Sequence, residues 1–128
     1  MDRAGAYAAR RLALALVDTG RFAWVQVCAT YAIGHPNPLG SRAMAEEKVP
    51  GAMFASRAMV EELAQALLAP AAMLRDLELT RPIFSPVAAW GHFGRPDLDL
   101  PWERPIPEIA ALTLPDRPGG SRRLWAAQ

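Results

Sequence analysis

The sequence predicts an α+β fold in which two main helices pack on one face of a small, mostly antiparallel sheet. Apolar residues recur with helical spacing near residues 2–19 and 56–68, and they alternate with polar residues between 22 and 33. A chain of 128 residues, of which 52% are hydrophobic, can bury one core of moderate size. We therefore expect one packed domain over residues 1–104, followed by a mobile tail over 105–128.

The first predicted helix begins with Asp2 as its N-cap and ends near Thr19, because Gly20 can adopt the left-handed conformation that follows many helices. In the next stretch, 22–33, the odd positions are mostly apolar, which is the pattern of a strand with one buried face. That face is expected to pack on the helix. The other face mixes polar and aromatic side chains, which indicates a surface for a partner; it carries Trp24, Gln26, Cys28 and Thr30.

The second predicted helix runs from Ser56, as its N-cap, to Leu68, with one apolar face and one polar face. Pro70 either ends this helix or begins the next short turn, over residues 71–77. Between the strand and the second helix, residues 41–49 have no clear periodicity. Their pattern alone therefore does not predict a strand.

A last strand is predicted over residues 83–89, where Pro86 indicates an edge position or a bulge. Beyond Arg104 the chain is rich in residues that interrupt regular structure, so it is expected to remain mobile and to add little to the core. These residues are the prolines at 105, 107, 115 and 118 and the pair Gly119-Gly120.

Composition excludes several classes of partner. The formal charge is +1, the mean hydropathy is +0.04 and no run of basic residues exceeds two, which does not fit a nucleic-acid surface. The apolar run after Arg10-Arg11 stops at Asp18, too short for an export signal, and no stretch reaches the roughly 20 apolar residues that span a bilayer. A single cysteine, Cys28, forms no internal disulfide, so the reduced cytoplasm is the expected location.

The histidines and the cysteine do not form a recognisable metal motif. His35, His92 and Cys28 lie far apart and lack the paired spacings of zinc sites. His92 lies between Gly91 and Gly94, which can adopt positive φ, and three aromatic residues lie close to it in sequence. We therefore expect a sharp turn held by aromatic packing, in which the His92 ring bonds to the backbone.

Several segments closely resemble the carboxy-terminal domain of methionine adenosyltransferase (S-adenosylmethionine synthetase). They occur in the order found in that family and cover most of residues 2–104. In the family, the stretch matching 41–49 is a second strand that ends in a glycine-containing turn, and it is shorter in this chain. The matching segments are Asp2-Arg3 with Ala6 to Arg10, Tyr31 to Gly34, Arg81 to Phe84 with Ala88 to Arg95, and Asp97 to Glu103.

The resemblance implies an enzyme of S-adenosylmethionine biosynthesis and one-carbon metabolism. Members of this family join the sulfur of methionine to the ribose of ATP and cleave the triphosphate, with Mg²⁺ and K⁺ as cofactors and with active sites between paired subunits. Asp2 matches an acidic residue that lines this site near the triphosphate, methionine and magnesium, and Arg3 is placed to face phosphate oxygens. In an isolated chain, we expect Asp2 to act only as a helix cap and Arg3 to be solvated.

This chain matches only the last of the three domains that the family has. It contains no phosphate-binding glycine loop and one lysine, Lys48, whereas the family supplies its phosphate-binding lysines from other segments. The isolated chain is therefore expected to be inactive and to bind neither Mg²⁺ nor K⁺ by itself. We expect it to self-associate or to pair with a full-length homologue, since a sheet with unpaired edges promotes association.

Three functional classes remain open from the sequence. The chain is the carboxy-terminal part of a methionine adenosyltransferase, supporting the dimer and the closure of the active site. Alternatively, it is a free-standing, non-catalytic interaction module derived from that domain. The third class is an unrelated small binding domain, which a pocket formed by residues 41–49 would favour.

Overall fold

In the computed structural model, which describes residues 1–48 and 57–110, a long first helix is followed by an antiparallel strand pair and a series of shorter helices. One short 3₁₀ turn, Pro101–Glu103, lies near the end of the described chain. The helices are α1 (Asp2–Asp18), α2 (Arg57–Leu67), α3 (Pro70–Asp76), α4 (Val87–Trp90) and α5 (Pro107–Ala110), and the strands are β1 (Phe22–Thr30) and β2 (Gly40–Glu47).

The predicted α+β arrangement is confirmed. Helix α1 packs on β1 and helix α2 packs on β2, and both helices contribute buried side chains to one hydrophobic core. The inward face of β1 carries Val25, Val27 and Ala29, which pack against that core, as the alternation of the sequence predicted. The opposite face of β1, with Trp24, Gln26, Cys28 and Thr30, is exposed.

The start of α1 differs from the prediction by one residue. Met1 is the N-cap, since its carbonyl accepts the hydrogen bond from Gly5 N at 2.9 Å, and no side chain caps the helix. The prediction that Asp2 is the N-cap is therefore wrong, and Asp2 lies in the first helical turn, where a carboxylate interacts favourably with the helix dipole. The other end agrees with the prediction, because Thr19 is the C-cap and Gly20 has φ of 77°.

Residues 40–47 form a strand that the sequence pattern did not reveal. Strand β2 pairs with β1 in antiparallel register, with Val27 opposite Ala43 and Ala29 opposite Ser41. The inward positions of β2 are small residues, so they give little hydrophobic alternation even though they face the core. The strand predicted up to Ile33 ends earlier, at Thr30, and the Ile33 side chain is fully exposed.

The predicted strand over 83–89 is wrong, because the chain forms the single helical turn α4 there. Pro86 has φ of −64° and ψ of −24°, which is helical backbone that leads directly into α4. Val87 alone in this turn is fully buried, and Gly91, with φ of 92°, ends it. Among the described residues, β1 and β2 are the only strands, so no strand partner exists there for 83–89.

The packed structure continues past the boundary predicted at Arg104. Ile106 and Ile109 are buried in the core, and α5 begins at Pro107. A proline at the first position of a helix is favourable, because its fixed φ is helical and it lacks an N–H that would stay unpaired. Residues 111–128 of the predicted tail, and the predicted cap Ser56, lie outside the described residues.

Replacing Gly5 by alanine should destabilise the fold. A Cβ on Gly5 would lie 2.9 Å from Cε2 of Tyr31, and the Tyr31 hydroxyl is held by its bond to the carbonyl of Leu68 at 2.9 Å. We expect this overpacking to cost about 1–3 kcal/mol, which over most of that range is more than the gain of about 1 kcal/mol from replacing a helical glycine by alanine.

Urea denaturation of Gly5→Ala beside Ala6→Gly measures this effect. Ala6 is exposed on the same helix, so Ala6→Gly should lose about 1 kcal/mol from propensity alone. A Gly5→Ala variant more stable than the parent chain would contradict the close approach of the Tyr31 ring.

Candidate functional site

The two sequence-predicted site residues lie at the start of α1. Asp2 and Arg3 are both exposed in its first turn, at the positive end of a helix of 17 residues. One turn further along the helix, Tyr7 is buried, with 2% of its surface accessible. Tyr7 thereby anchors the beginning of α1 to the core, while Asp2 and Arg3 remain accessible to solvent.

The Tyr7 ring stacks on the Trp102 ring, and this contact lies at the centre of an aromatic cluster. The two ring centroids are 3.8 Å apart and the ring planes differ by 4°. Phe84 lies parallel to both rings, at 6.3 Å from Tyr7 and 6.4 Å from Trp102, and Phe93 meets Tyr7 edge-on at 6.0 Å. Aromatic pairs of this kind contribute about 0.5–1.5 kcal/mol each beyond their buried area.

His92 connects both rings through hydrogen bonds. The Tyr7 hydroxyl lies 2.7 Å from Nδ1 of His92, and it donates there when the imidazole carries its proton on Nε2. The Trp102 Nε1–H donates to the backbone carbonyl of His92, also at 2.7 Å. The expectation that the His92 ring bonds to the backbone is therefore wrong, because a buried tyrosine hydroxyl occupies its Nδ1.

The turn around His92 is also tied to α1 through charged groups. The Arg10 guanidinium donates to both Glu103 carboxylate oxygens, at 3.2 and 3.3 Å, and it lies over the Phe93 ring at 5.8 Å. Glu103 also accepts a bond from Gly94 N at 3.1 Å. The φ of 65° at Gly94 confirms the predicted sharp turn. Because the Glu103 side chain is only 11% exposed, this carboxylate is well shielded from competing water.

Sequence reasoning missed Tyr7, Arg10 and Glu103 as parts of this arrangement. A usable signal existed, since Arg3, Tyr7 and Arg10 follow the i, i+4, i+7 spacing of one helix face. Their partners could not be found in this way, because the contacts join residues 85 to 93 positions apart.

Electrostatics at Tyr7 favour its neutral form. Burial raises the pKa of the Tyr7 hydroxyl, and the positive charge of Arg3 partly opposes this effect. The hydroxyl therefore stays protonated near neutral pH and remains a donor to His92. A protonated phenol paired with a turn histidine suits an architectural role, since neither group contacts a carboxylate or a nucleophile in the described bonds.

The described residues do not build a metal site by themselves. Asp2 offers one exposed carboxylate, and no group of three or more His, Cys, Asp and Glu side chains within residues 1–48 and 57–110 is arranged to hold a metal ion. Magnesium requires near-octahedral oxygen ligands, often one or two carboxylates with water and phosphates. Asp2 could therefore serve a magnesium ion only together with ligands supplied from elsewhere.

A second group of charges lies around Arg104 on the surface. Its guanidinium donates to Asp99 at 2.6 and 2.9 Å and to Glu78 at 3.0 Å, and Glu78 also pairs with Arg81. Glu78 has φ of 48°, a left-handed conformation that is unfavourable for a residue with a side chain. Bonds from Arg81 and then Arg104 lower the pKa of the Glu78 carboxyl, and the bond from Arg104 lowers that of Asp99.

Beside this network lies a shallow groove of about 180 Å³. Its polar walls are already engaged, because Arg95 pairs with Asp97 at 2.7 Å and Arg104 pairs with Asp99. The remaining lining consists of Pro96, Leu98, Leu100 and Glu103. Since the charged groups satisfy one another, the groove presents no free charge that would recognise a nucleotide.

No helix in the described part of the chain is both long enough and apolar enough to cross a membrane.

Comparison with known proteins agrees with the resemblance seen in the sequence. The family described as "S-adenosylmethionine synthetase, C-terminal domain" matches residues 1–104. An S-adenosylmethionine synthase of Nocardia farcinica is 46% identical over 105 residues, which is 80% of this chain and 25% of that protein. The corresponding synthase of Corynebacterium jeikeium is 44% identical over 106 residues, covering 81% of this chain and 25% of the relative.

A relative from a third organism gives a similar result. The S-adenosylmethionine synthase of Clostridium botulinum is 42% identical over 111 residues, covering 81% of this chain and 26% of the relative. The chain thus spans about a quarter of the length of the curated relatives that it matches.

Replacing Trp102 should destabilise the fold far more than replacing Trp90. Trp102→Phe weakens the stack on Tyr7 and leaves the His92 carbonyl without its donor, for which we expect a loss of about 2–4 kcal/mol. Trp90 is 82% exposed, so Trp90→Phe should change stability by less than about 0.5 kcal/mol. Guanidinium denaturation compares the two, and equal losses would contradict the central position of Trp102.

Acid should weaken the ion pairs around Arg104. Because the folded state lowers the pKa of Glu78, its contribution is fully present above the ordinary value of 4.5 and is lost as the pH falls through the lowered pKa. Glu78→Gln should therefore make stability less dependent on pH between neutral pH and pH 3. Glu62→Gln, at an exposed carboxyl on α2, is the control in urea titrations at each pH. An unchanged pH slope in Glu78→Gln would show that the pair does not stabilise the fold.

Proposed function

The chain belongs to the S-adenosylmethionine synthetase family, whose carboxy-terminal domain its residues 1–104 match, and we propose that it is the carboxy-terminal part of a methionine adenosyltransferase. The complete enzyme converts ATP, L-methionine and water into S-adenosylmethionine, phosphate and diphosphate. In that enzyme, this domain supports the pairing of subunits and helps to close the active site.

The observation that carries this proposal is the convergence of the matched segments on α1. Residues 6–10, 88–95 and 101–103 lie far apart in the sequence and meet around the Tyr7 and Trp102 rings. Their shared task is to fix the direction in which the first turn of α1 points. A domain that aims a helix start at a neighbouring surface is suited to completing a site that other segments build.

Asp2 and Arg3 are the residues of this chain that we propose to reach the substrates. Both are exposed at the amino-terminal end of α1, where the helix dipole favours anions. Arg3 would contact phosphate oxygens directly. Asp2 repels phosphate, so it would act near the triphosphate only across a divalent cation, with Mg²⁺ supplying the positive charge between them.

The isolated chain lacks the cationic groups that this reaction needs. Cleavage of the triphosphate develops negative charge that lysines, arginines and metal ions must stabilise. Its one lysine is Lys48, which follows β2, and Asp2 is a single carboxylate without a described metal-binding group around it. We therefore propose that the chain alone holds neither Mg²⁺ nor K⁺ and catalyses no turnover.

We propose a second copy of the chain, or a full-length homologue, as its partner in the cytoplasm. The support is the outward face of the sheet, where Trp24 is 46% exposed next to uncharged Gln26 and Cys28. The net charge of +1 favours neither nucleic acid nor a membrane surface. The same exposed face supports the second candidate function, a free-standing interaction module without catalysis, for which co-purification with a full-length homologue is the discriminating observation.

The purified chain should show no S-adenosylmethionine formation with ATP, methionine, Mg²⁺ and K⁺, because the phosphate-binding cations are missing. A full-length relative in the same assay is the positive control. Turnover above background by the 128-residue chain would refute its proposed dependence on other segments.

Complementation tests the positive part of the proposal. A relative truncated before the quarter that this chain matches should regain activity when the chain is added. Asp2→Asn should reduce that regained activity at least about tenfold, as expected for an altered metal environment. Asp97→Asn, at an exposed aspartate paired with Arg95, should leave it unchanged. Equal activity of the two variants would contradict the role of Asp2.

A further inference from the structure

We propose that the outer edge of β1, the edge that does not pair with β2, pairs with the same edge of a second copy of this chain. The two copies would then share one four-stranded antiparallel sheet with the strand order β2-β1-β1-β2. This inference rests on the proposed self-association and identifies the surface that brings it about. It differs from association through the exposed face of the sheet, because the contact consists of main-chain hydrogen bonds.

The edge is open in the described structure. Within residues 1–48 and 57–110, the sheet consists of β1 and β2 alone, so the other edge of β1 has no strand partner there. A row of unpaired N–H and C=O groups along a strand is a template for another strand. Two-stranded sheets are also marginal in stability, and adding strands improves them.

The composition of β1 does nothing to prevent such pairing. Its nine residues include no charged residue, no proline and no glycine, whereas proteins commonly place such residues on edges to block association. Strand β2 differs, since it contains Arg42, Glu46 and Glu47. Of the two edges of the sheet, the edge of β1 is therefore the one without charged residues. A register shift between Phe22 and Trp24 interrupts the regular pairing at the start of β1, so the proposed contact is limited to residues 24–30.

Side chains near this edge leave it accessible. The largest exposed one, Trp24, donates from Nε1 to Glu46 Oε2 at 2.6 Å, so its ring is held toward β2 and away from the outer edge. The remaining exposed side chains of β1 are uncharged, namely Ala23, Gln26, Cys28 and Thr30. Within β1 itself, an approaching strand therefore meets no charged side chain.

A second copy suits this edge because antiparallel pairing of β1 with itself is symmetric. A two-fold axis at the middle residue, Gln26, places Gln26 of one copy opposite Gln26 of the other and Trp24 opposite Cys28. Every cross-strand pair is then uncharged, so no like charges oppose each other. The protected edge of β2 limits growth, and the assembly closes as a dimer.

The test compares two lysine variants of the complete chain by sedimentation velocity over a range of concentrations. Gln26→Lys places like charges opposite each other across the proposed contact and should weaken the dimer at least about fivefold. Met44→Lys adds the same charge on the same face, directly opposite Gln26 on β2, and should leave the dimer within about twofold. Circular dichroism and thermal melting establish that both variants fold.

Hydrogen exchange of the unaltered chain gives a second measurement that does not depend on the variants. Amide protection in β1 should rise with protein concentration, whereas protection in β2 should stay constant. Protection of β1 that is independent of concentration, and that disappears when residues 111–128 are deleted, would overturn the inference by identifying an intramolecular occupant.

The outcomes separate this inference from the proposed self-association. A monomer at all concentrations overturns both. A dimer that both variants weaken equally is formed by the sheet face, and one that only Met44→Lys weakens is formed through β2. Either result, or a dimer that neither variant affects, retains self-association and overturns pairing through the edge of β1.

Discussion

The stack of Tyr7 on Trp102 is the interaction on which the arrangement of the chain depends. Both rings are almost completely buried, and both polar groups that would otherwise be lost to water find partners on His92. Their side chains therefore enter the core without leaving a donor unsatisfied. The contact joins the first helix to a 3₁₀ turn about 95 residues later, so it closes the chain around the remaining core.

This arrangement explains what the matched family segments do in the described structure. The glycines at 91 and 94 allow the turn that presents the His92 carbonyl and ring to Trp102 and Tyr7. Glu103 joins the Gly94 amide to Arg10, so the turn and α1 are held by the same carboxylate. In the described contacts, these residues hold the conformation of the turn and its position against α1, and they do not take part in chemistry. The residues that we propose to reach the substrates, Asp2 and Arg3, lie instead at the exposed start of α1.

The hydrophobic periodicity of the sequence predicted those helices and strands whose own side chains repeat with a clear period. Helices α1 and α2 and strand β1 have clear hydrophobic periods, and all three were placed correctly to within a few residues. Strand β2 escaped because its inward side chains are alanine and serine, and 83–89 was misread because an apolar run containing Pro86 can also begin a helical turn. The cluster around Tyr7 could not be predicted, since its contacts join residues 77 to 95 positions apart and carry no periodic signal. The assignment of Asp2 and Arg3 as site residues rests on the family resemblance and stays a prediction.

Native-state hydrogen exchange in low denaturant tests the central claim most directly, because it reports which segments open together. If the Tyr7 and Trp102 stack closes the chain, amides of α1 and of residues 101–110 should share one opening free energy and one denaturant dependence. Trp102→Phe should lower the two together. Exchange of residues 101–110 at a much lower free energy than α1, unaffected by Trp102→Phe, would contradict the account.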